Sequence, residues 1–275
     1  MSLMLNRRQA LKLSLGSAAT LGLAACGGSS ESSETEAEAK VYSIVTDTVF
    51  APFEFTDAEG NYIGIDIELL AAIAADQGID YELNPVGFDA ALQNVQSGQA
   101  DGVIAGMSIT DERKEIFDFS EPYYDSTVCA AALASSDIKG LEDLKGKSVA
   151  VKNGTQSSFW AEEIKGEYGF ETVTFDDSAT MYQDVAAGNT VACFEDTPVM
   201  SYAISQFADT EGAEGVDFKL IADCGADSKY ATPYGFAVNK GDNAELLAAF
   251  DAGLVNIKAN GKYDEIVSTY VKSVE

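Results

Sequence analysis

The sequence predicts an α/β fold built from two lobes, and three observations lead to that prediction. Short runs rich in β-branched and aromatic residues alternate with helical patterns from residue 40 onward, which is typical of mostly parallel sheets covered by helices on both faces. Residues 40–275 are many for one such sheet, so two sheets are expected. Hydrophobic residues make up 46% and charged residues 23% of the chain, a composition that can fill two buried cores.

The first group of predicted elements lies between residues 41 and 105. Ile67, Leu70, Ala71 and Ala74 recur at helical spacing, so a helix is expected to open after Gly64 with this face turned inward. In chain order we predict a strand at 41–45, an extended piece at 53–55, the helix after Gly64, a strand at 81–83, a helix at 88–97 and a strand at 102–105.

The remaining elements continue the alternation. β-rich runs bounded by turn residues predict strands, and apolar residues every three or four positions predict helices. In chain order these are a strand at 128–133, a short helix near 141–144, a strand at 148–151, a helix at 155–164, a strand at 173–175, a helix at 181–187, a strand at 191–194, a helix at 199–207, strands at 218–221 and 234–238, and two final helices around residues 246–254 and 263–270.

Composition excludes several classes of site. The chain has no histidine, so Ser-His-Asp and Cys-His catalysis and histidine zinc sites are excluded. Seventeen Lys and Arg residues stand against 45 Asp and Glu, giving a formal net charge of −28, which argues against nucleic acid or an anionic membrane surface as a partner. Carboxylate chemistry and simple ligand binding remain, and no cofactor or metal is expected.

Residues 1–25 form a predicted export signal. Arg7, Arg8 and Lys12 are followed by an apolar stretch that is too short to span a membrane and ends in small residues. The Arg7-Arg8 pair also resembles a twin-arginine signal, although Ala10 stands where that motif usually has a bulky residue. The route of export therefore stays open between these two kinds of signal.

Cys26 is the predicted point of attachment to a membrane. The apolar stretch ends in Leu-Ala-Ala-Cys26, which looks like a bacterial lipobox whose cysteine becomes the lipidated first residue of the mature protein. The alternative is a plain secretory signal with an incidental cysteine. Residues 26–39 are small, polar and acidic, which predicts a flexible tether. The sequence has no CxxC motif among its other cysteines, which are Cys129, Cys193 and Cys224. We expect them to be small buried residues in strands, and the alternative that two of them form a disulfide stays open.

Five segments of the predicted lobes carry a resemblance to a known family. The segments are 47–55 (DTVFAPFEF), 64–69 (GIDIEL), 105–113 (AGMSITDER), 149–155 (VAVKNGT) and 195–198 (EDTP). In this order and at this spacing they resemble family 3 of the bacterial extracellular solute-binding proteins, the amino-acid-binding components of ABC importers, and among these they are most like glutamine-binding proteins. The likeness covers residues 41–270.

The resemblance implies a type II periplasmic-binding-protein-like fold with the ligand in a cleft between the lobes. Lobe 1 would take residues 40–124 and 233–275, and lobe 2 would be inserted at 127–230. Two strand-like crossings, near 123–127 and 230–234, would form the hinge. A ligand that touches both lobes would then shift the population from an open form to a closed one.

The resemblance also places ligand-binding residues where strands end. A free amino acid presents a carboxylate, an ammonium group and a side chain, and a buried site has to satisfy each of them. Arg113 offers a planar fork of donors for the carboxylate, with amides at a helix N-terminus around Thr155 and Gln156 beside it. Asp196 is the expected acceptor for the ammonium group. The rest of this set comprises Ala105, the Gly106 carbonyl, the Ser108 hydroxyl and two aromatic walls, Phe50 and Phe88.

These assignments have plainer alternatives. The alternative for Arg113 is a solvated helix residue paired with Asp111 or Glu115. Asp196 has the alternative role of N-cap for the helix near Pro198. For Phe50 and Phe88 the alternative is a place in the core, the usual position of phenylalanine.

The side-chain pocket decides which amino acid is bound. The resemblance places Asp47, Lys152 and Glu195 there, and an acceptor opposite a donor suits the primary amide of glutamine. Glu195 departs from the family pattern, because glutamine-binding relatives typically have a histidine before the DTP triplet. The surplus of carboxylates leaves room for arginine, lysine or cystine as alternatives, and pairing of Glu195 with Lys152 would weaken the case for an amide.

The sequence thus predicts a monomeric, lipid-anchored solute-binding protein on the outer face of the bacterial cytoplasmic membrane, which serves an ABC permease and catalyses no reaction. One rival of another class is a dehydratase on the same fold, which would need a carboxylic acid at a leaving hydroxyl, a task for Glu195 or Asp47. Another is a sensory receptor that reports the ligand to a signalling partner.

Overall fold

The computed structural model describes residues 40–209 and 216–271. The predicted export signal, Cys26 and the predicted tether lie outside the described residues. No helix in the described part combines the length and the hydropathy that a bilayer crossing requires.

Twelve strands and eight α-helices occur in the described residues. The strands are β1 (Val41–Thr46), β2 (Phe55–Thr56), β3 (Tyr62–Ile63), β4 (Asp80–Pro85), β5 (Gly102–Val103), β6 (Phe117–Phe119), β7 (Val128–Leu133), β8 (Ser148–Lys152), β9 (Glu171–Phe175), β10 (Ala192–Asp196), β11 (Phe218–Asp223) and β12 (Ala237–Asn239). The helices are α1 (Ile65–Gln77), α2 (Phe88–Gln96), α3 (Asp111–Lys114), α4 (Gln156–Tyr168), α5 (Ser178–Ala186), α6 (Thr197–Asp209), α7 (Ala244–Ala259) and α8 (Lys262–Tyr270), with a 3-10 turn at Leu141–Leu144.

Ten of the twelve strands form two five-stranded sheets, as the two-lobed α/β prediction requires, and β2 and β3 form a separate antiparallel pair. The first five-stranded sheet has the order β4-β1-β5-β12-β6 and the second β11-β7-β10-β8-β9. Four of the five strands in each sheet run in the same direction, so the prediction of mostly parallel sheets is confirmed, and one antiparallel strand makes each sheet mixed. β12 runs antiparallel to β5 and β6, and β7 runs antiparallel to β10 and β11. Each of these is the strand by which the chain arrives from the other sheet, so its direction follows from the crossing and not from a βαβ repeat.

Two segments connect the sheets, between β6 and β7 and between β11 and β12. They meet where Tyr124 and Tyr234 form an isolated antiparallel bridge, with the Tyr234 amide donating to the Tyr124 carbonyl at 2.8 Å. The first sheet therefore combines strands from both ends of the described chain. This arrangement supports the proposed division into lobe 1 (40–124 and 233–275) and an inserted lobe 2 (127–230).

Two of the four residues predicted for the inward face of α1, Leu70 and Ala74, are buried, and the other two are not. The buried apolar residues of α1 are Ile65, Leu69, Leu70, Ile73 and Ala74, whereas Ile67 is half-buried and Ala71 is exposed. Apolar residues occupy most positions of this helix, so periodicity alone could not choose between neighbouring faces. Packing against α7 decides it, because a Cβ at Gly253 of α7 would lie 2.8 Å from Ile73 Cγ2.

Gly64 sets the start of α1 against the preceding loop. Its φ is 135°, and a Cβ there would lie 2.1 Å from the Phe53 carbonyl oxygen. Only glycine fits this backbone conformation and this close approach. The contact brings Glu54 and Asp66 to the same buried region of lobe 1.

Two of the three described cysteines are buried residues in strands, as expected. Cys129 of β7 and Cys193 of β10 are buried, while Cys224, which directly follows β11, is half-buried. All three are free thiols. Burial raises the pKa of both the Cys129 and the Cys193 thiols, which makes them unreactive.

Candidate functional site

Ten of the twelve predicted ligand-binding residues line one small cavity between the two sheets. They are Phe50, Phe88, Ala105, Gly106, Ser108, Arg113, Lys152, Thr155, Gln156 and Asp196. The cavity volume is about 10 Å³, which is close to the space that a single water molecule needs. The other two residues, Asp47 and Glu195, are buried next to it.

Strand ends place these groups on one edge of each sheet. In the first sheet, β1 and β5 are parallel neighbours, and the cavity residues follow them along the chain. In the second sheet, β8 and β10 are parallel neighbours that end at Lys152 and Asp196. Because carboxyl ends of parallel strands share an edge, side chains distant in sequence converge there.

Arg113 lies on α3, a one-turn helix that the sequence analysis did not predict as a separate element. Thr110 caps it by accepting from the Arg113 amide. The guanidinium is buried, donates from Nη1 to the Ser108 carbonyl at 2.8 Å and from Nη2 to the Gly154 carbonyl at 3.0 Å, and lies 5.3 Å from the centroid of the Phe88 ring. Burial lowers the pKa of Arg113 to about 10, so it is charged at neutral pH. The alternative of a solvated arginine is therefore wrong.

The N-terminus of α4 adds further donors. The Thr155 hydroxyl accepts from the Ser158 amide at 3.2 Å and donates to the Lys152 carbonyl at 2.8 Å. The first amides of an α-helix have no intrahelical acceptors, and the Thr155 cap satisfies that of Ser158. Together with the helix dipole, they make this end of the cavity suitable for a carboxylate.

Asp196 presents one bonded and one unbonded oxygen. Oδ2 accepts from the Tyr234 hydroxyl at 2.5 Å, while Oδ1 is buried and has no hydrogen-bond partner among the described residues. Burial and the neighbouring Glu195 raise the pKa of Asp196 to about 7, although Tyr234, Arg113 and Lys152 lower it. The side chain is thus a buried acceptor with spare capacity at the cavity, which suits a cation.

Lys152 and Asp47 form a buried ion pair across the two lobes. Both side chains are 1% exposed. The Lys152 ammonium lies 4.5 Å from the centroid of the Phe50 ring and 5.6 Å from that of Phe88. Burial lowers the pKa of Lys152, but the carboxylates of Asp47 and Glu195 outweigh it and raise the pKa overall. The space between the aromatic walls therefore already contains a cation.

Glu195 turns away from the cavity. Its carboxylate accepts from the Ser178 hydroxyl at 2.8 Å, the Tyr182 hydroxyl at 3.0 Å and the Asp196 amide at 2.9 Å. It forms no ion pair with Lys152, whose partner is Asp47. Nothing in the local sequence marks Ser178, Tyr182 and Tyr234 as hydrogen-bond partners of these carboxylates, so their role could not be predicted.

The lobes are closed on each other in this structure. Two contacts join lobe 1 to lobe 2: the ion pair between Asp47 and Lys152, and the hydrogen bond from the Arg113 guanidinium to the Gly154 carbonyl. With so little room inside, an amino acid can reach these groups only after the lobes separate.

A second group of buried carboxyls lies behind the cavity in lobe 1. Asp66 accepts from the Gly106 amide at 2.7 Å and from the Tyr123 hydroxyl at 2.8 Å. Burial, reinforced by Asp66 and Asp47, holds the pKa of Glu54 well above its usual value, and burial raises the pKa of Asp66 to about 6. Glu54 is therefore held as the neutral acid behind a wall of the cavity.

We expect the ligand-free protein to be more stable at about pH 5 than at about pH 8, with a melting temperature at least about 3 °C higher. The folded-state pKa values of Glu54 and Asp66, which lie within lobe 1, are raised. Their contribution to stability is therefore complete below the usual carboxyl values and is lost as pH rises through the raised ones. Thermal unfolding across this range tests the expectation.

The matched variants separate this effect from surface charge. Glu54→Gln keeps that position uncharged at every pH, so its melting temperature should decline less as pH rises. Glu59 is exposed, and Glu59→Gln should leave the wild-type slope unchanged. Parallel profiles for the wild type and Glu54→Gln would contradict the assignment.

Sequence comparisons give the same picture of the whole chain. The sequence model described as bacterial extracellular solute-binding proteins, family 3, matches residues 42–273. A probable histidine-binding protein of Neisseria gonorrhoeae is 30% identical over 253 residues, which are 91% of each chain. The lysine/arginine/ornithine-binding periplasmic protein of Escherichia coli is 31% identical over 82% of this chain and 86% of its own.

Solved structures agree in fold and differ in how closely they superpose. Substrate-binding domain 2 of Lactococcus lactis GlnP in an open conformation is 43% identical, covers 87% of this chain and 98% of its own, and has a TM-score of 0.57. An ancestral arginine-binding protein bound to arginine is only 34% identical, over 84% and 97%, yet has a TM-score of 0.74. The more similar sequence superposes less well, as expected when the lobes of this chain are closed and those of the open structure are apart.

Proposed function

Because the chain belongs to the bacterial extracellular solute-binding proteins of family 3, we propose that it captures free L-glutamine between its two lobes and delivers it to a membrane permease. As the substrate-binding protein of an amino-acid ABC transporter, it binds its solute without chemical change, like the relatives it resembles. In this proposal Arg113 and the α4 amides hold the ligand's carboxylate, and Asp196 holds its ammonium group. The predicted contacts from Gly106 and Ser108 complete the clamp.

The observation that favours glutamine as the ligand is the position of the Lys152 ammonium, which lies between the aromatic walls and pairs with Asp47. A ligand side chain that reaches this pair meets an acceptor and a donor together, which a primary amide satisfies with its NH₂ and its carbonyl. A cationic side chain would lie beside a buried ammonium and be repelled. An anionic one would face Asp47, with the Glu195 carboxylate close behind.

A basic amino acid or cystine is the second candidate. It is favoured by relatives named for histidine, arginine and L-cystine binding and by the three carboxylates at or beside the cavity, those of Asp47, Glu195 and Asp196. Glu195 is less available than this count suggests, since three donors already satisfy it. On these grounds we place glutamine first.

Closure is the proposed response to binding. Ligand carboxylate and ammonium groups are both satisfied only when Arg113 of lobe 1 and Asp196 of lobe 2 reach the same molecule. Glutamine would therefore shift the population of open and closed forms toward the closed form by its difference in affinity for the two. The closed form would be the one that the permease recognises.

Thermal unfolding against a panel of amino acids tests the proposal. The purified protein is unfolded and refolded to remove carried-over ligand, and each common L-amino acid and L-cystine is added in turn. A ligand at a hundred times its Kd stabilises a protein by about 2.7 kcal/mol, which raises the melting temperature by several degrees. We expect the largest rise with glutamine. A larger rise with arginine, lysine or cystine would select the second candidate, and no rise with any of them would contradict both.

Anchoring through Cys26 is also part of the proposal. Its support is the Leu-Ala-Ala-Cys26 sequence and the polar residues that follow. In the native host we expect the protein in the membrane fraction, labelled by a fatty-acid probe. Cys26→Ala should abolish the labelling and move the protein out of that fraction, whereas Cys224→Ala should change neither. Unaltered labelling of Cys26→Ala would contradict the anchor.

A further inference from the structure

Asp196 is held by a tyrosine that belongs to neither sheet. Tyr234 lies in the segment that returns the chain from the second sheet to the first, three residues before β12. Its hydroxyl donates to Asp196 Oδ2 at 2.5 Å and accepts from the Ser126 hydroxyl at 3.0 Å. Ser126 lies in the other connecting segment. Both connections between the lobes therefore converge on the side chain that ends β10.

The tyrosine is fixed on every side. Tyr234 is 0% exposed. Its backbone donates to the Tyr124 carbonyl at 2.8 Å and accepts from the Tyr123 amide at 2.9 Å. Its ring packs edge-on against Phe53 with centroids 5.0 Å apart and stacks on Tyr124 at 6.2 Å. A phenol held this firmly can give the Asp196 carboxylate a single orientation.

The orientation matters because only one carboxylate oxygen is free. With Oδ2 occupied by Tyr234, the buried Oδ1 is the oxygen without a described partner. We propose that Tyr234 is a positioning residue for the ligand's ammonium group: it holds Asp196 so that Oδ1 faces the ammonium, and it does so from the segment that joins the two lobes. This inference rests on the proposed function and adds to it a residue that does not itself line the cavity.

The same hydroxyl favours the ionised form of Asp196. The charged and titratable groups that face this carboxyl are Glu195 beside it on β10, Cys129 of β7, Lys152 of β8, Arg113 of α3 and Tyr234. Burial and Glu195 raise the pKa of Asp196, whereas Tyr234 lowers it. Without the hydroxyl, Asp196 would take up a proton at a higher pH and lose its attraction for an ammonium group. Ligand affinity would then weaken at a higher pH than in the wild type.

The test is the affinity for glutamine as a function of pH, measured calorimetrically with the full chain. Tyr234→Phe should bind roughly ten- to hundredfold more weakly at neutral pH, as expected for loss of a hydrogen bond to a charged group, and the pH at which affinity falls should move upward. Ser126→Ala should shift both quantities less in the same direction. Tyr124→Phe is the matched control, since it removes a hydroxyl that bonds no described residue from the ring stacked on Tyr234, and it should match the wild type.

The outcomes separate this inference from the proposed function. All amino acids share the ammonium group, so a wild type that binds arginine instead of glutamine is measured with arginine. If the wild type binds and Tyr234→Phe, folded by its melting curve, has the same affinity and the same pH midpoint, the inference is overturned while the function stands. If Tyr234→Phe does not fold, Ser126→Ala is the variant that tests the inference. An unchanged pH midpoint for its ligand affinity would then overturn the inference. A wild type that binds no amino acid overturns both.

Discussion

Replacement of Arg113 by alanine is expected to weaken glutamine binding by at least about thirtyfold, because truncating one member of a buried, hydrogen-bonded charge pair costs about 2–5 kcal/mol. The guanidinium is buried, and its two described hydrogen bonds go to carbonyls of both lobes. In the proposed complex it meets the ligand's carboxylate, which would otherwise be buried with only the α4 amides as donors. Titration calorimetry with glutamine gives the change in Kd.

Lys114→Ala is the matched control for that variant. Lys114 is the next residue of the same short helix, with its side chain 53% exposed and paired with Asp111, and its loss should leave the Kd within about twofold of the wild type, since exposed ion pairs contribute little. Affinity retained by a folded Arg113→Ala protein would remove Arg113 from the site. The carboxylate would then have to bind elsewhere.

The second large effect is a change of specificity in Lys152→Met. The substitution removes the cation from between Phe50 and Phe88 and leaves the Asp47 carboxylate buried without its partner. A ligand that brings its own cation can then replace the lost ammonium. We expect glutamine affinity to fall by at least about a hundredfold, as when a charged partner of a buried bond is removed, and arginine affinity to rise by at least tenfold (about 1.4 kcal/mol). Calorimetry with both amino acids measures this.

Two companion proteins show whether charge is the cause. The double variant Asp47→Asn with Lys152→Met has neither charge, so it should show no gain for arginine. Lys147 is exposed just before β8, and Lys147→Met should bind both amino acids like the wild type. The single variant should melt at a lower temperature without ligand and recover in arginine, since an unpaired buried carboxylate is destabilising. A Lys152→Met protein that keeps its preference for glutamine would show that Lys152 is not what selects the amide.

Much of the fold could be predicted from the sequence where elements are long and periodic. The predicted strand at 128–133 has the bounds of β7, and the predicted helix at 88–97 nearly coincides with α2. Short elements could not be predicted. α3 has four residues and β6 has three, which are too few to show a periodic pattern. The antiparallel direction of β7 and β12 could not be predicted either, since it depends on where the chain crosses between lobes and not on local residue pattern.

The candidate site also has a part that the sequence predicted and a part that it did not. Segments with distinctive residues after strands led to ten side chains that line one cavity. What the sequence could not supply were the pairs made over long separations: Asp47 with Lys152, Asp196 with Tyr234, and Glu195 with the hydroxyls of Ser178 and Tyr182. These pairs decide which charges the ligand meets. The sequence also placed Glu195 in the side-chain pocket, whereas its carboxylate accepts hydrogen bonds from Ser178, Tyr182 and the Asp196 amide and does not line the cavity.

The central claim is that this chain binds glutamine in preference to cationic and anionic amino acids, and the most direct test is a calorimetric comparison of glutamine, arginine and glutamate on the same refolded protein at about neutral pH, where Lys152 and Arg113 are both charged. We expect the Kd for glutamine to be at least hundredfold lower than the Kd for either of the others, a difference of about 2.7 kcal/mol. A lower Kd for arginine or for glutamate, or no heat with glutamine at all, would contradict the claim.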